Sequence, residues 1–233
     1  GPFEENKGNY SPAAQLGPGP SPAIWSDCPW DAIEYGKRPG IAKHWDFSKV
    51  KAISNINAAE AYLGDGLMIF GSDGAALALS SDLSASVNAF GVATLSSDGD
   101  NEGAFIRQSG ACFRITGLHA TATSRSGKLW FEARIKTSTI TDTKHNIFLG
   151  LVDDAAATAT SPITALGALA DRNLIGFHRP ESALGVAGTG GAIMNVVYKA
   201  DGVTAVTLQT NAVTLVADTY QKLGALYNPV DGR

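Results

Sequence analysis

Proline and tryptophan are crowded into one end of this chain: seven of its ten prolines and three of its four tryptophans lie in the first 45 residues. Proline fixes φ and removes a backbone donor. Pro12, Pro18, Pro20, Pro22, Pro29 and Pro39 therefore keep their segment out of a sheet interior and out of any continuing helix. Residues 1–50 are expected to form an extended arm. That arm carries Ile24, Trp25, Trp30, Ile33, Tyr35, Trp45 and Phe47, too many large apolar groups for a solvated tail. Burying each ring is worth about 1.5–3 kcal/mol. Two places can receive them: the chain's own body, where the arm would hide an edge strand, or a neighbouring subunit, where Trp and Tyr are the usual anchors.

Behind the arm, residues 51–66 read as a linker. Asn57-Ala58-Ala59-Glu60 has the form of a capping box and predicts a short helix through about Leu63. From Leu67 the hydrophobic period changes to two, in LMIF, ALALS, FGVATLSS, AFIRQS and CFRIT, each ended by Gly, Asp or Ser. The most regular stretch is Lys128–Thr137. Leu129, Phe131, Ala133 and Ile135 there point to one face, and Lys128, Trp130, Glu132, Arg134 and Lys136 to the other. The first face is expected to be core, and the second to carry a charged ladder with Trp130 as its one large ring.

His145–Val152 and Asn173–His178 each hold a glycine inside a strand pattern, predicting a bulge or a close backbone approach at Gly150 and Gly176. Between them an Ala/Thr-rich loop suggests one helical turn near Thr164–Leu169. Ile193–Tyr198, Thr204–Thr210 and Tyr220–Tyr227 complete the strands. Residues 67–233 thus predict an all-β, antiparallel sandwich, with the strand that should follow the turn at Pro229–Gly232 missing.

The totals exclude several classes. The 233 residues fit one β domain plus an arm, and 44% hydrophobic with 17% charged residues argues against disorder. A formal net charge of −4 without a basic tract argues against nucleic acid. No apolar run reaches membrane-spanning length, and the start lacks the order of a secretory signal. Gly1-Pro2 has the form of a tag-cleavage scar and is left out of fold reasoning. Cys28 and Cys112 form no CxxC or zinc spacing, and are expected to be reduced and separate.

Four segments, LWFEARIK, IFLGLVDD, LIGFHRPE and TYQKLGALYNPVDGR, occur in an order that resembles the concanavalin-like jelly roll of lectin-like and laminin-G-like domains. The resemblance is strongest to the versions found in tailed-phage structural proteins. SPAIWSDCPWDAI, with GIAKHWDF some ten residues on, is similar to the leading segment of phage virion proteins that sit on capsids. The two resemblances imply a concanavalin-like β-sandwich behind an attachment arm. They also imply a virion location on the capsid surface, the major capsid protein as partner, and homo-oligomers with a trimer at a capsid threefold. No membrane is involved in that picture. An alternative is a carbohydrate-binding adhesion module that stacks glycans on Trp130.

Chemistry is harder to find. Glycoside hydrolysis, the less favoured activity for such a fold, needs paired carboxylates on one face, and Glu132 and Glu181 are isolated. Asp98-Gly99-Asp100-Asn101-Glu102-Gly103 resembles the start of a calcium loop, yet Ser109 stands where the bidentate Glu belongs. Asp153-Asp154 reads the same way. His44, His119, His145 and His178 show no metal spacing. Gly185–Gly191 lacks the Lys of a phosphate loop and reads as a turn needing positive φ. Ser48-Lys49-Val50-Lys51 matches S-x-x-K without its partner motifs. The expectation is a non-enzymatic protein without metal or cofactor.

Overall fold

The computed structural model describes residues 21–37, 41–45, 60–64, 66–72, 78–82, 92–96, 103–108, 128–141, 145–153, 161–164, 168–180 and 191–228. Among the described residues the chain is all-β apart from two single-turn helices, α1 (Pro22–Trp25) and α2 (Trp30–Glu34). Eleven strands follow among the described residues: β1 (Glu60–Gly64), β2 (Leu67–Ser72), β3 (Ala78–Asp82), β4 (Val92–Ser96), β5 (Gly103–Gln108), β6 (Leu129–Ile135), β7 (Ile147–Val152), β8 (Leu174–Arg179), β9 (Ile193–Lys199), β10 (Val206–Thr214) and β11 (Gln221–Tyr227). All pairings are antiparallel. The sheets run β1-β2-β5, β10-β9-β8-β7, β11-β6 and β3-β4.

The main core lies between the β7–β10 sheet and the β6–β11 ribbon. Phe177, Met194, Leu215 and Leu223 are buried there, with Phe131, Ile135, Ile147, Leu149, Val196 and Val213 packed against them. Phe131 and Ile135 face inward as the alternation of β6 predicts. In the smaller sheet, β2 is central, and Leu67, Ile69 and Phe70 are buried. Phe70 lies directly across from Phe105, the rings stacked at 4.9 Å, with the Arg107 guanidinium 4.7 Å from the Phe70 centroid.

Close approach, rather than a bulge, explains Gly150 and Gly176. The two are register partners in an unbroken β7–β8 ladder. A Cβ on Gly150 would lie 2.2 Å from the Ile175 carbonyl oxygen, and one on Gly176 2.2 Å from that of Leu149. At the end of β8, the fully buried Arg179 donates to the carbonyls of Gly191, His145 and Thr141, the last at 2.9 Å. His178, also buried, meets Asn146 Oδ1 through Nε2 at 3.0 Å. Gly191 adopts φ 70°, the conformation expected of the glycine-rich turn at this residue.

Three expectations are corrected. Residues 60–64 form a strand rather than the end of a capped helix: Glu60 pairs with Phe70 and Gly64 with Leu67. Gly66, just ahead of β2, adopts φ 77°. Pairing with a buried neighbour outweighs a capping pattern that offers a one-turn helix nothing to pack against. The linker assigned to 51–66 therefore gives up its last residues to the sheet, and Asn57–Ala59 lie outside the described residues. Where a helical turn is expected near Thr164–Leu169, Ile163 and Leu169 form an antiparallel bridge and Thr164 N–H donates to the Ala168 carbonyl at 2.8 Å, while residues 165–167 lie outside the described residues. The arm is not extended between residues 22 and 34. Pro22 occupies the first turn of α1, where its missing N–H costs nothing and its fixed φ suits a helix.

Candidate functional site

One of the arm residues singled out in the sequence, Ile24, meets the body on the outer face of the β6–β11 ribbon. On that face Glu132 is opposite Gly224, Trp130 opposite Leu226 and Arg134 opposite Lys222. Helix α1 lies across it. The Ser21 N–H donates to both Glu132 carboxylate oxygens at 3.2 and 3.1 Å, so an acceptor from the sheet serves the residue just ahead of the helix. Ile24 lies over Gly224: a Cβ there would be 3.0 Å from Ile24 Cγ1 and 3.1 Å from the Phe131 carbonyl oxygen. At the far end Asp27 accepts from Lys128 Nζ at 2.5 Å and from Trp130 Nε1 at 3.0 Å.

This three-point latch determines the local electrostatics. The Lys128 bond, then that from Trp130, holds the Asp27 carboxyl below its ordinary value. Cys28 carries a free thiol, pushed up to about 11 by burial and then by the negative charge of Asp27. Beyond the latch, the Arg134 guanidinium is 4.0 Å from the Tyr220 ring centroid and Lys136 Nζ 5.4 Å from it. Burial pulls the Lys222 ammonium down, the Glu132 charge opposes this, and the Arg134 charge adds to it.

The predicted site residues fall into groups. Ile24 is docked on the ribbon. Trp25 and Trp30 meet edge to face, with centroids 5.6 Å apart at 78°. Trp25 Nε1 is buried and meets no acceptor. Ile33 and Trp45 are half-buried. Tyr35 is 72% exposed and its near neighbour Ile41 49%. Phe47 lies outside the described residues. Trp130, the proposed sugar platform, is half-buried with its indole N–H engaged by Asp27, so the arm occupies part of the face a glycan would need.

Sequence reasoning missed Ser21, Asp27 and Gly224 as members of this site. Gly224 carried a usable signal. It interrupts the strand pattern QKLGALY just as Gly150 and Gly176 interrupt theirs, and a glycine in a strand marks close approach. Elsewhere, Asp153 serves structure. It accepts from Arg172 Nε at 2.9 Å and from the backbone N–H and Nδ2 of Asn173 at 3.1 and 2.9 Å. Burial opposes ionisation of its carboxyl, but the bonds from Arg172 and Asn173 together hold it below the usual range. Asp98–Glu102, Cys112, His119, Glu181 and Ser48–Lys51 lie outside the described residues. Among the described residues no group of three His, Cys, Asp or Glu side chains is placed to hold a metal ion. No helix there is long and apolar enough to cross a membrane.

Comparison with known proteins finds no matching family model, and no curated protein or solved structure of significant similarity.

Proposed function

We propose that this chain is a structural protein of a tailed-phage virion, a concanavalin-like jelly roll that decorates the capsid exterior through its arm and performs no catalysis. The observation that carries the reading is the unfinished state of the docked arm. Ser21–Asp27 is pinned to the ribbon, yet Tyr35 and Ile41 stand in solvent just beyond the pin. Exposed Tyr and Ile beside it supply the apolar contact typical of interface anchors.

Charge supports the same direction. Residues 35–45 contain Lys37, Arg38 and Lys43 and no acidic residue, in a chain whose net charge is −4. The sequence beyond the latch is thus basic and apolar, suited to an acidic ridge on a capsid subunit. Repetition over a shell would raise the effective concentration of each weak attachment.

Co-sedimentation with purified tailed-phage capsids tests the proposal. The full chain is expected to pellet with the particles. Tyr35→Ala combined with Ile41→Asp is expected to leave it in the supernatant with an unchanged circular dichroism spectrum. A wild-type chain that stays in the supernatant, or a double variant that pellets as well as wild type, overturns it.

A further inference from the structure

The four-stranded sheet ends at β10, and the first half of that strand overhangs the body. Val213 packs on the core and Leu215 is buried in it, whereas every residue from Val206 to Asn211 is exposed. Val206 is 50% exposed and Leu208 56%, and Tyr198, directly across from Val206 on β9, is exposed beside them. Edge strands are ordinarily protected by charges, proline or bulges. Residues 202–217 contain no Asp, Glu, Lys, Arg, His or Pro. The register shifts between Thr207 and Gln209 and between Gln209 and Val213, with Asn211 at φ 53°, bend the strand.

From this we infer that the overhanging edge of β10, centred on Val206 and Leu208, is the surface through which two copies of this chain associate. Three points favour a second copy over an unrelated partner. An uncharged strand opposes itself without like-charge pairs. In a molecule of net charge −4, residues 202–217 are a stretch on which two copies approach without bringing acidic side chains together. A twofold contact also closes both open edges at once, where a head-to-tail contact would leave one free to propagate. The inference does not rest on the arm: the β10 edge and the α1 latch involve different residues, so each can fail alone.

The test is sedimentation velocity with light scattering on the full chain over a dilution series. Wild type is expected to be dimeric and to dissociate on dilution. Leu208→Lys, which a twofold contact sets against its own copy, is expected to weaken association at least tenfold with an unchanged circular dichroism spectrum. Mixing Leu208→Lys with Leu208→Glu is expected to restore a mixed dimer, which neither a misfolded variant nor a different interface would do. Monomeric wild type at every concentration, undiminished assembly of Leu208→Lys, or failure of the mixture to associate would each overturn the inference.

Discussion

At residue scale, two residues decide whether the arm stays down. Gly224 leaves space for Ile24, and Gly224→Val would fill that space from a strand whose backbone cannot retreat from Phe131. We expect the variant to lose about 1–3 kcal/mol in urea unfolding, the usual range for overpacking, and its tryptophan emission to shift red as Trp25 and Trp30 come free. Asp27 makes the latch sensitive to acid. Its carboxyl is depressed in the folded state, so its contribution is complete above the ordinary Asp value of about 4 and is lost as pH falls through the lower folded value. Acid titration of wild type should therefore release the arm, seen as a tryptophan shift below about pH 4, and Asp27→Asn should show the released signal already at neutral pH. A titration in which the two proteins coincide at neutral pH would remove Asp27 from the latch. None of this geometry was legible beforehand. The sequence showed that the arm's rings need cover, but not that a serine N–H, an aspartate and a glycine would hold them, because those contacts join residues over a hundred positions apart.

At element scale, strands with strict alternation or a flanking turn were readable, and β6 is the clearest case. Its inward face met the core as expected, because a period of two leaves one way to bury Phe131 and Ile135. The β1–β2 hairpin was misread although Asp65-Gly66 is a strong hairpin signal. The capping pattern at Asn57 competed with it, and the strand's partner, β2, decided the outcome. The paired glycines of β7 and β8 allow a direct test. Gly176→Ala would set a methyl group against the Leu149 carbonyl and the Gly150 Cα. With backbone on the receiving side, we expect a loss of at least about 1–3 kcal/mol in chemical denaturation. An Ala variant as stable as wild type would mean that the strands separate freely at this point.

At the scale of the whole molecule, the main core is built from sheet and ribbon, with none of the described arm residues in it. Deleting residues 1–46 should then leave a β-rich circular dichroism spectrum with a lower thermal midpoint, since the ribbon's outer face loses its cover. A truncated chain that fails to fold would show that the arm is part of the core. Composition and turn spacing were enough to predict an all-β chain with antiparallel pairing. Which strands would share a sheet was not, because β6 and β11 pair across residues 136–220, which carry the other sheet between them.

One guanidinium gives the molecule a further property. Arg179 gathers three carbonyls, from Thr141, His145 and Gly191, at a single buried point. A planar fork of five N–H groups reaches them in fixed, divergent directions, where a lysine would have to draw all three onto one nitrogen. Those three segments therefore act as spokes on one hub. Loosening any spoke exposes a cation to the interior, so this rim opens as a cooperative unit or stays shut, and sequence change there meets resistance that a tethered loop would not offer.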